Sequence, residues 1–223
     1  MNNKKLGGAA AIVMSSIVVS RITGYIREMI TPNVLGLGNV GDAYSYAFRI
    51  TGLMYDLLVG GAIAAAIIPV LTGYISKKDE ENGWKAVGTF INVIIIIMSF
   101  ACILGMFFTP GLIKIFSGFE GEEQIKLTAD IARILFPSVA FLMLAGLSNG
   151  ILNSYQRFAA AAYGPSIYNI GSIISLLFLS GKGGPTSVAY GIMASSFVYF
   201  LFQFSFVYKH LKHYKFKIYI KHP

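Results

Sequence analysis

Apolar residues run through this chain in long blocks, and polar residues collect in the short gaps between them. That pattern predicts helices at about 6–30, 43–74, 87–109, 125–147, 156–179 and 187–208, with tight connections. About 20 apolar residues of helix suffice to cross a bilayer core, and each block reaches that length. The predicted architecture is an all-α polytopic membrane protein, with six transmembrane helices in a lobe over residues 1–208 and a basic tail or linker over 209–223. The second block is long for one crossing and carries Gly60-Gly61 and Pro69, which predicts tilt, a kink or extension beyond the bilayer. Lys4-Lys5 ahead of the first block reads like the start of a secretory signal. The pattern continues from Arg21 to Ile30 without a convincing small-residue cleavage site, so retention is expected.

Composition agrees with the pattern and removes the alternatives. Of 223 residues, 55% are hydrophobic and only 13% charged, with mean hydropathy +0.65, whereas soluble domains carry about a quarter charged residues. A water-soluble globule is excluded. The net charge of +8 would suit a nucleic-acid binder if the cations formed one patch. Most are instead lysines at block ends and in the tail, a topology signal, so membrane lipids and no nucleic acid are the expected partners. With the N-terminus inside, eleven loop and tail cations fall on the inner side and Lys114, Lys126 and Lys182 on the outer. Both termini are therefore expected in the cytoplasm. The tail from Lys209 alternates Lys or His with aromatic residues; it reads as a positive-inside stop signal or as a segment lying on an anionic leaflet. Cys102 stands alone, giving no disulfide framework and no metal-ligand spacing, and no metal or cofactor is expected.

Ionisable residues inside apolar blocks are costly in lipid and mark cavities or partners. Arg21, Arg27, Arg49 and Arg133 are of this kind, as are Glu28, Asp42, Asp56 and Asp130. At about 100° per residue, Ser20, Arg21, Gly24, Arg27 and Glu28 fall within a sector of about 120°. Val18, Val19, Ile22, Tyr25, Ile26 and Met29 lie opposite. The first helix therefore presents a cationic face. Asp42, Arg49 and Asp56 recur every seven residues, so successive members differ by only about 20° and form one polar stripe. If these faces meet, the carboxylates neutralise the arginines while the site is empty, and an anionic ligand competes for them. Arginine suits this because its guanidinium stays charged and binds phosphate bidentately. The competing reading is that such pairs only glue helices together or snorkel to an interface. Asp130 and Arg133, three apart, read as an intrahelical pair. Pro137 and Pro165 read as tolerated kinks, and Asn149, Asn153 and Arg157 as loop caps.

Two phosphate-like motifs fail in context. Gly36-Leu37-Gly38-Asn39-Val40-Gly41 joins two helices with no preceding strand. Gly181-Lys182-Gly183-Gly184-Pro185-Thr186 lacks the phosphate-loop spacing. Both read as turns. No HExxH, GxSxG or paired cysteine is present, so no catalytic residues are assigned and an enzyme is not expected.

The segment Ser20-Arg21-x-x-Gly24-x-x-Arg27-Glu28, followed by Asp42-Ala43, Phe48-Arg49-Ile50, Gly61-Ala62 and Pro69-Val70-Leu71, resembles the opening of the MurJ/MviN family of lipid II flippases. Asn149-Gly150-Ile151-Leu152-Asn153 and Pro165-x-x-x-Asn169 resemble that family's fourth and fifth spans. The family lies within the wider group of multidrug, oligosaccharidyl-lipid and polysaccharide exporters. The resemblance implies one lobe of a two-lobed exporter in the bacterial plasma membrane. Such an exporter moves an undecaprenyl-pyrophosphate-linked peptidoglycan precursor between leaflets by alternating access, and the C-terminal lobe would be the missing partner. It implies substrate binding through Arg21 and Arg27, with Ser20 and Arg49 on the same faces, and a gate contact for Asp42; Glu28 and Asp56 are read beside it as gating or salt-bridge residues. Where the family usually has Pro-Asn-Leu-Leu-Arg-Arg, this chain has Thr51-Gly52-Leu53-Met54-Tyr55-Asp56, and its usual glutamate is Gly60. Alternatives are an exporter of lipid-linked oligosaccharide or of drugs, which would depend on a carboxylate, and a truncated fragment that does not transport.

Overall fold

The computed structural model describes residues 3–58 and 62–219, and they are helical almost throughout. In chain order the helices are α1 (Asn3–Leu35), α2 (Asn39–Leu58), α3 (Ala62–Ser76), α4 (Glu80–Phe116), α5 (Glu122–Ser154), α6 (Phe158–Ala162) and α7 (Gly164–Val207). A 3-10 turn over Tyr208–His213 completes them. Local chemistry sets several ends. Glu80 and Glu81 open α4, and Glu122 and Glu123 open α5, where carboxylates offset the positive end of the helix dipole. Pro165 sits in the first turn of α7, where its missing N–H costs nothing. Gly36 closes α1 with φ +81°, as a helix-terminating glycine does, and the glycine-rich stretch behind it is the turn its context implied.

The long helix α5 is the centre of the bundle. One core cluster joins α3, α4 and α5 through Ile67, Leu71, Trp84, Val87, Met143 and Leu147. A second joins α2, α5 and α7 through Ala43, Ala47, Leu135, Phe136, Leu176 and Ile192. At the α4 end of the first cluster, the Trp84 indole N–H donates to the Tyr155 hydroxyl at 3.1 Å, and that hydroxyl donates to a Glu80 carboxylate oxygen at 2.9 Å. Burial pushes the Tyr155 hydroxyl up to about 12, so it keeps the proton this bond needs.

The helix α7 breaks at Gly183-Gly184, where Gly184 adopts φ +63°, ψ −153°, a conformation open essentially to glycine alone. The chain folds back there. Gly171 faces Ser195 and Gly191 faces Ser175, so closely that a Cβ on Gly171 would lie 2.5 Å from the Ser195 Oγ. Both pairings are centred on Gly183, as in a hairpin, and small residues let the arms approach as they do between membrane helices.

The expectation of six transmembrane helices is corrected. Among the described residues three helical elements are long and apolar enough to cross a membrane: Glu80–Phe116, Glu122–Ser154 and Phe158–His213. The expected first span is the 33-residue helix α1, which is not among those three. The expected second span is divided between α2, which carries Asp42, Arg49 and Asp56, and α3, which is only 15 residues long. The expectation of both termini in the cytoplasm rests on six crossings, a number these three elements do not supply. What stands is an all-α, multi-pass helical bundle.

Candidate functional site

The polar sector of α1 turns toward the start of α7. Ser20, Arg21, Arg27 and Glu28 line one cavity of about 800 Å³ together with Pro165 and Asn169. The opposite side of α1, with Val18, Ile22, Tyr25 and Met29, is exposed, as a surface meant for lipid or another helix would be.

Within this sector Arg27 is held most firmly. A guanidinium N–H donates to the Asn169 Oδ1 at 3.2 Å. The Asn169 amide donates in turn to the Ser20 carbonyl at 3.1 Å and to the Thr23 Oγ1 at 3.5 Å. Gly24 makes room, since a Cβ there would lie 3.4 Å from the Asn169 Nδ2. The guanidinium carbon also lies 5.2 Å from the centre of the Phe48 ring and 5.7 Å from that of Tyr168, within range of cation–π attraction. One cation is thus positioned by α1, α2 and α7 together.

The charge on Arg27 is poorly neutralised. Among the described residues the one carboxylate within 4.0 Å is Glu28 at 3.9 Å, and that side chain is 73% exposed against 16% for Arg27. A guanidinium has five N–H donors, and Asn169 takes one of them. Free donors beside a partly desolvated cation make an anion-binding group, and a phosphate oxygen pair matches its fork.

Arg27 also joins separate spaces. It lines a cavity of about 330 Å³ with Glu28, Asp42, Tyr44 and Phe48. It lines another of about 310 Å³ with Tyr55, Asp56, Tyr168 and Tyr199. The structure thereby brings Ser20, Arg21, Arg27 and Glu28 around one space, and reaches Asp42 and Asp56 through two more. Arg49 is left out. It is exposed and lines none of these three cavities. Tyr55, which stands where the resemblance leads one to expect arginine, is half-buried in the wall shared with Asp56. Gly60 lies outside the described residues.

Sequence reasoning did not assign Asn169, Phe48 or Tyr168 to this site. Asn169 was visible as the polar residue one turn beyond Pro165, but nothing in the sequence paired it with a residue 142 positions earlier. Aromatic residues are too frequent here, at 14%, for two of them to stand out. Other readings meet matching contacts: Arg133 bonds Asp130 at 3.2 Å, and the Asn149 amide donates to the Ala161 carbonyl at 3.2 Å, capping the turn before α7. Among the described residues no group of three or more His, Cys, Asp or Glu is placed to hold a metal.

Comparison with known proteins gives this geometry a family. The family described as lipid II flippase MurJ matches residues 32–223. A probable lipid II flippase MurJ of Buchnera aphidicola subsp. Schizaphis graminum is 31% identical over 196 residues, covering 86% of this chain and 38% of its own. A solved structure of lipid II flippase MurJ in an inward closed conformation superimposes with TM-score 0.74 at 27% identity, over 95% of this chain and 44% of that one. A MATE transporter in complex with MaD3S superimposes equally well, with TM-score 0.75 over 96% of this chain and 49% of that one, but at 16% identity it speaks for the fold alone. The chain spans well under half the length of the curated relatives it matches. Proteins of this description are transporters, not enzymes, and the family match covers most of the sequence: the chain belongs to the MurJ family, multi-pass proteins of the bacterial inner (plasma) membrane.

Proposed function

We propose that this chain is the N-terminal portion of a lipid II flippase and supplies the group that holds the pyrophosphate of an undecaprenyl-linked peptidoglycan precursor. The observation that carries the reading is Arg27, a partly desolvated cation held by Asn169, Phe48 and Tyr168 with its one near carboxylate exposed. Arg21 and Ser20 border the same cavity and serve as second contacts to the diphosphate or its sugar. Arg49 is assigned a contact made only when a C-terminal lobe or the substrate reaches the exposed face of α2. Glu28, Asp42 and Asp56 rim the spaces that Arg27 joins; they are assigned to gating, pairing with the arginine when the anion has left.

The physical logic is exchange. A guanidinium that already had a buried carboxylate partner would release it only at several kcal/mol, whereas Arg27 presents unsatisfied donors to an arriving phosphate. Alternating access then requires the second lobe, so transport belongs to the longer protein. The test is complementation of flippase-depleted cells with the complete protein carrying Arg27→Ala. Loss of growth with normal membrane levels is expected; growth at the unsubstituted rate would overturn the assignment. Arg27→Lys separates fork from charge, since a lysine keeps the cation but loses bidentate geometry, and intermediate rescue is expected.

A further inference from the structure

The basic tail is tied to α4 by side-chain hydrogen bonds. Past the 3-10 turn it runs along α4 and is fastened there by two side chains. The Asn92 amide donates to the carbonyls of Lys215 and Lys217 at 3.1 and 3.0 Å, and the Asn92 Oδ1 accepts from the Tyr214 hydroxyl at 2.6 Å. The Tyr219 N–H donates to the Thr89 Oγ1 at 3.1 Å, and the Tyr214 ring meets Trp84 edge-on with centres 6.1 Å apart. A fully buried asparagine that spends three bonds on one segment defines that segment's path.

The path encloses a space. Between the tail and the first turns of α4 lies a cavity of about 290 Å³, floored by Trp84 and ringed by Lys85, Lys212, His213 and Lys215, with Glu81 as its lone carboxylate. Glu81 is already taken, bonded to Lys85 at 3.1 Å. Among the described residues Lys212 and Lys215 have no carboxylate within 4.0 Å, so the pocket keeps an excess of positive charge. The site sits at the start of one membrane-spanning helix and the end of another, Glu80–Phe116 and Phe158–His213, which places it at headgroup depth. Beside it Phe216 and Ile218 are 72% and 42% exposed. Exposed apolar side chains interleaved with lysines are the make-up of an interfacial anchor, a composition that a site for a soluble ion does not need.

We propose that this pocket binds the phosphate headgroup of an anionic phospholipid, with Phe216 and Ile218 entering the leaflet beside it. The site is separate from the Arg27 cavities and does not depend on what they carry. The test is native mass spectrometry of the purified chain in detergent, titrated with phosphatidylglycerol, phosphatidylcholine and inorganic phosphate. Phosphatidylglycerol should be retained in preference to phosphatidylcholine. The Lys212→Gln, Lys215→Gln double variant should lose that preference by about fivefold for each lysine, the worth of a cation near an anionic surface. Glu81→Gln, a change at an exposed first-turn position, should strengthen phosphatidylglycerol retention and serves as the readout if the double variant does not fold. Equal retention of both lipids, or an unchanged preference in both variants, would overturn the proposal. So would inorganic phosphate displacing phosphatidylglycerol at matched concentration, which would make the pocket a soluble-anion site.

Discussion

Arg27 and Arg49 belong to two neighbouring helices, each polar along one stripe, yet the fold uses them in opposite ways. Arg27 is drawn into the bundle by Asn169 and two aromatic rings; Arg49 stays exposed, with no carboxylate within 4.0 Å among the described residues. The cause lies in what packs behind each stripe. On α2 the buried side is Ala43, Tyr44, Ala47 and Thr51, which seat that helix on α5 and turn Arg49 outward. On α1 the small residue Gly24 is on the polar side itself, so α7 approaches there and Asn169 reaches across. A helical stripe tells which residues share a face; the neighbour's small residues decide whether that face becomes a wall or a surface.

The largest expected effect tests that contrast directly. In the complete protein Arg27→Ala should reduce transport by about 30-fold or more, the usual cost of removing one partner of a desolvated charge contact, while Arg49→Ala should stay within about threefold. Measured side by side in a vesicle assay of lipid-linked substrate, equal losses would show that exposure in this lobe does not predict function. Next comes the group that positions Arg27. Asn169→Asp keeps the shape but offers Arg27 a carboxylate only a few ångströms away, so the cation is neutralised internally. Transport should fall by about tenfold, and the melting temperature should drop as well, because a carboxylate cannot donate to the Ser20 carbonyl; Asn169→Ala should weaken transport and lower the melting temperature without adding a charge beside Arg27.

Much of this was legible in the sequence. The amphipathic wheel of α1 selected Ser20, Arg21, Arg27 and Glu28, and those four do border one cavity. Asp42, Arg49 and Asp56, seven apart, all fall within α2, because spacing reports on the helix itself. The number of membrane-crossing elements was not legible. Apolar content alone made one span of 43–74, although that stretch carries parts of α2 and α3; the separation it placed at Gly183-Gly184 is where α7 breaks and folds back. Nor was the clamp, since the bond from Arg27 to Asn169 joins residues 142 apart and depends on how α1 and α7 dock. The tail shows the same limit: its alternation of lysine and aromatic residues was plain, but its fastening by Asn92 comes from a buried polar residue in the middle of an apolar run.

A smaller effect probes the packing that carries the clamp. Gly171→Val should push the arms of α7 apart, because the new side chain meets Ser195 at once. Overpacking of this kind costs about 1–3 kcal/mol, so the melting temperature in detergent should drop. Transport per folded molecule should fall too if Asn169, two residues away, moves with the arm. A lowered melting point with full transport would mean that the α1–α7 contact tolerates a shifted hairpin.

The finest distinction between the two arginines concerns the aromatic rings. Phe48 immediately precedes Arg49 in sequence, yet its ring lies 5.2 Å from the Arg27 guanidinium. Phe48→Leu keeps an apolar side chain on α2 and removes only the π face, so the loss should be that of one cation–π contact, about 0.5–1 kcal/mol, or roughly two- to fivefold in substrate affinity. The sign carries the argument. If the ring holds Arg27 in its binding pose, the substitution raises the apparent KM and leaves kcat nearly unchanged. If the ring instead competes with the anion for the cation, removing it tightens binding, and Phe48 would be the residue that lets the substrate go.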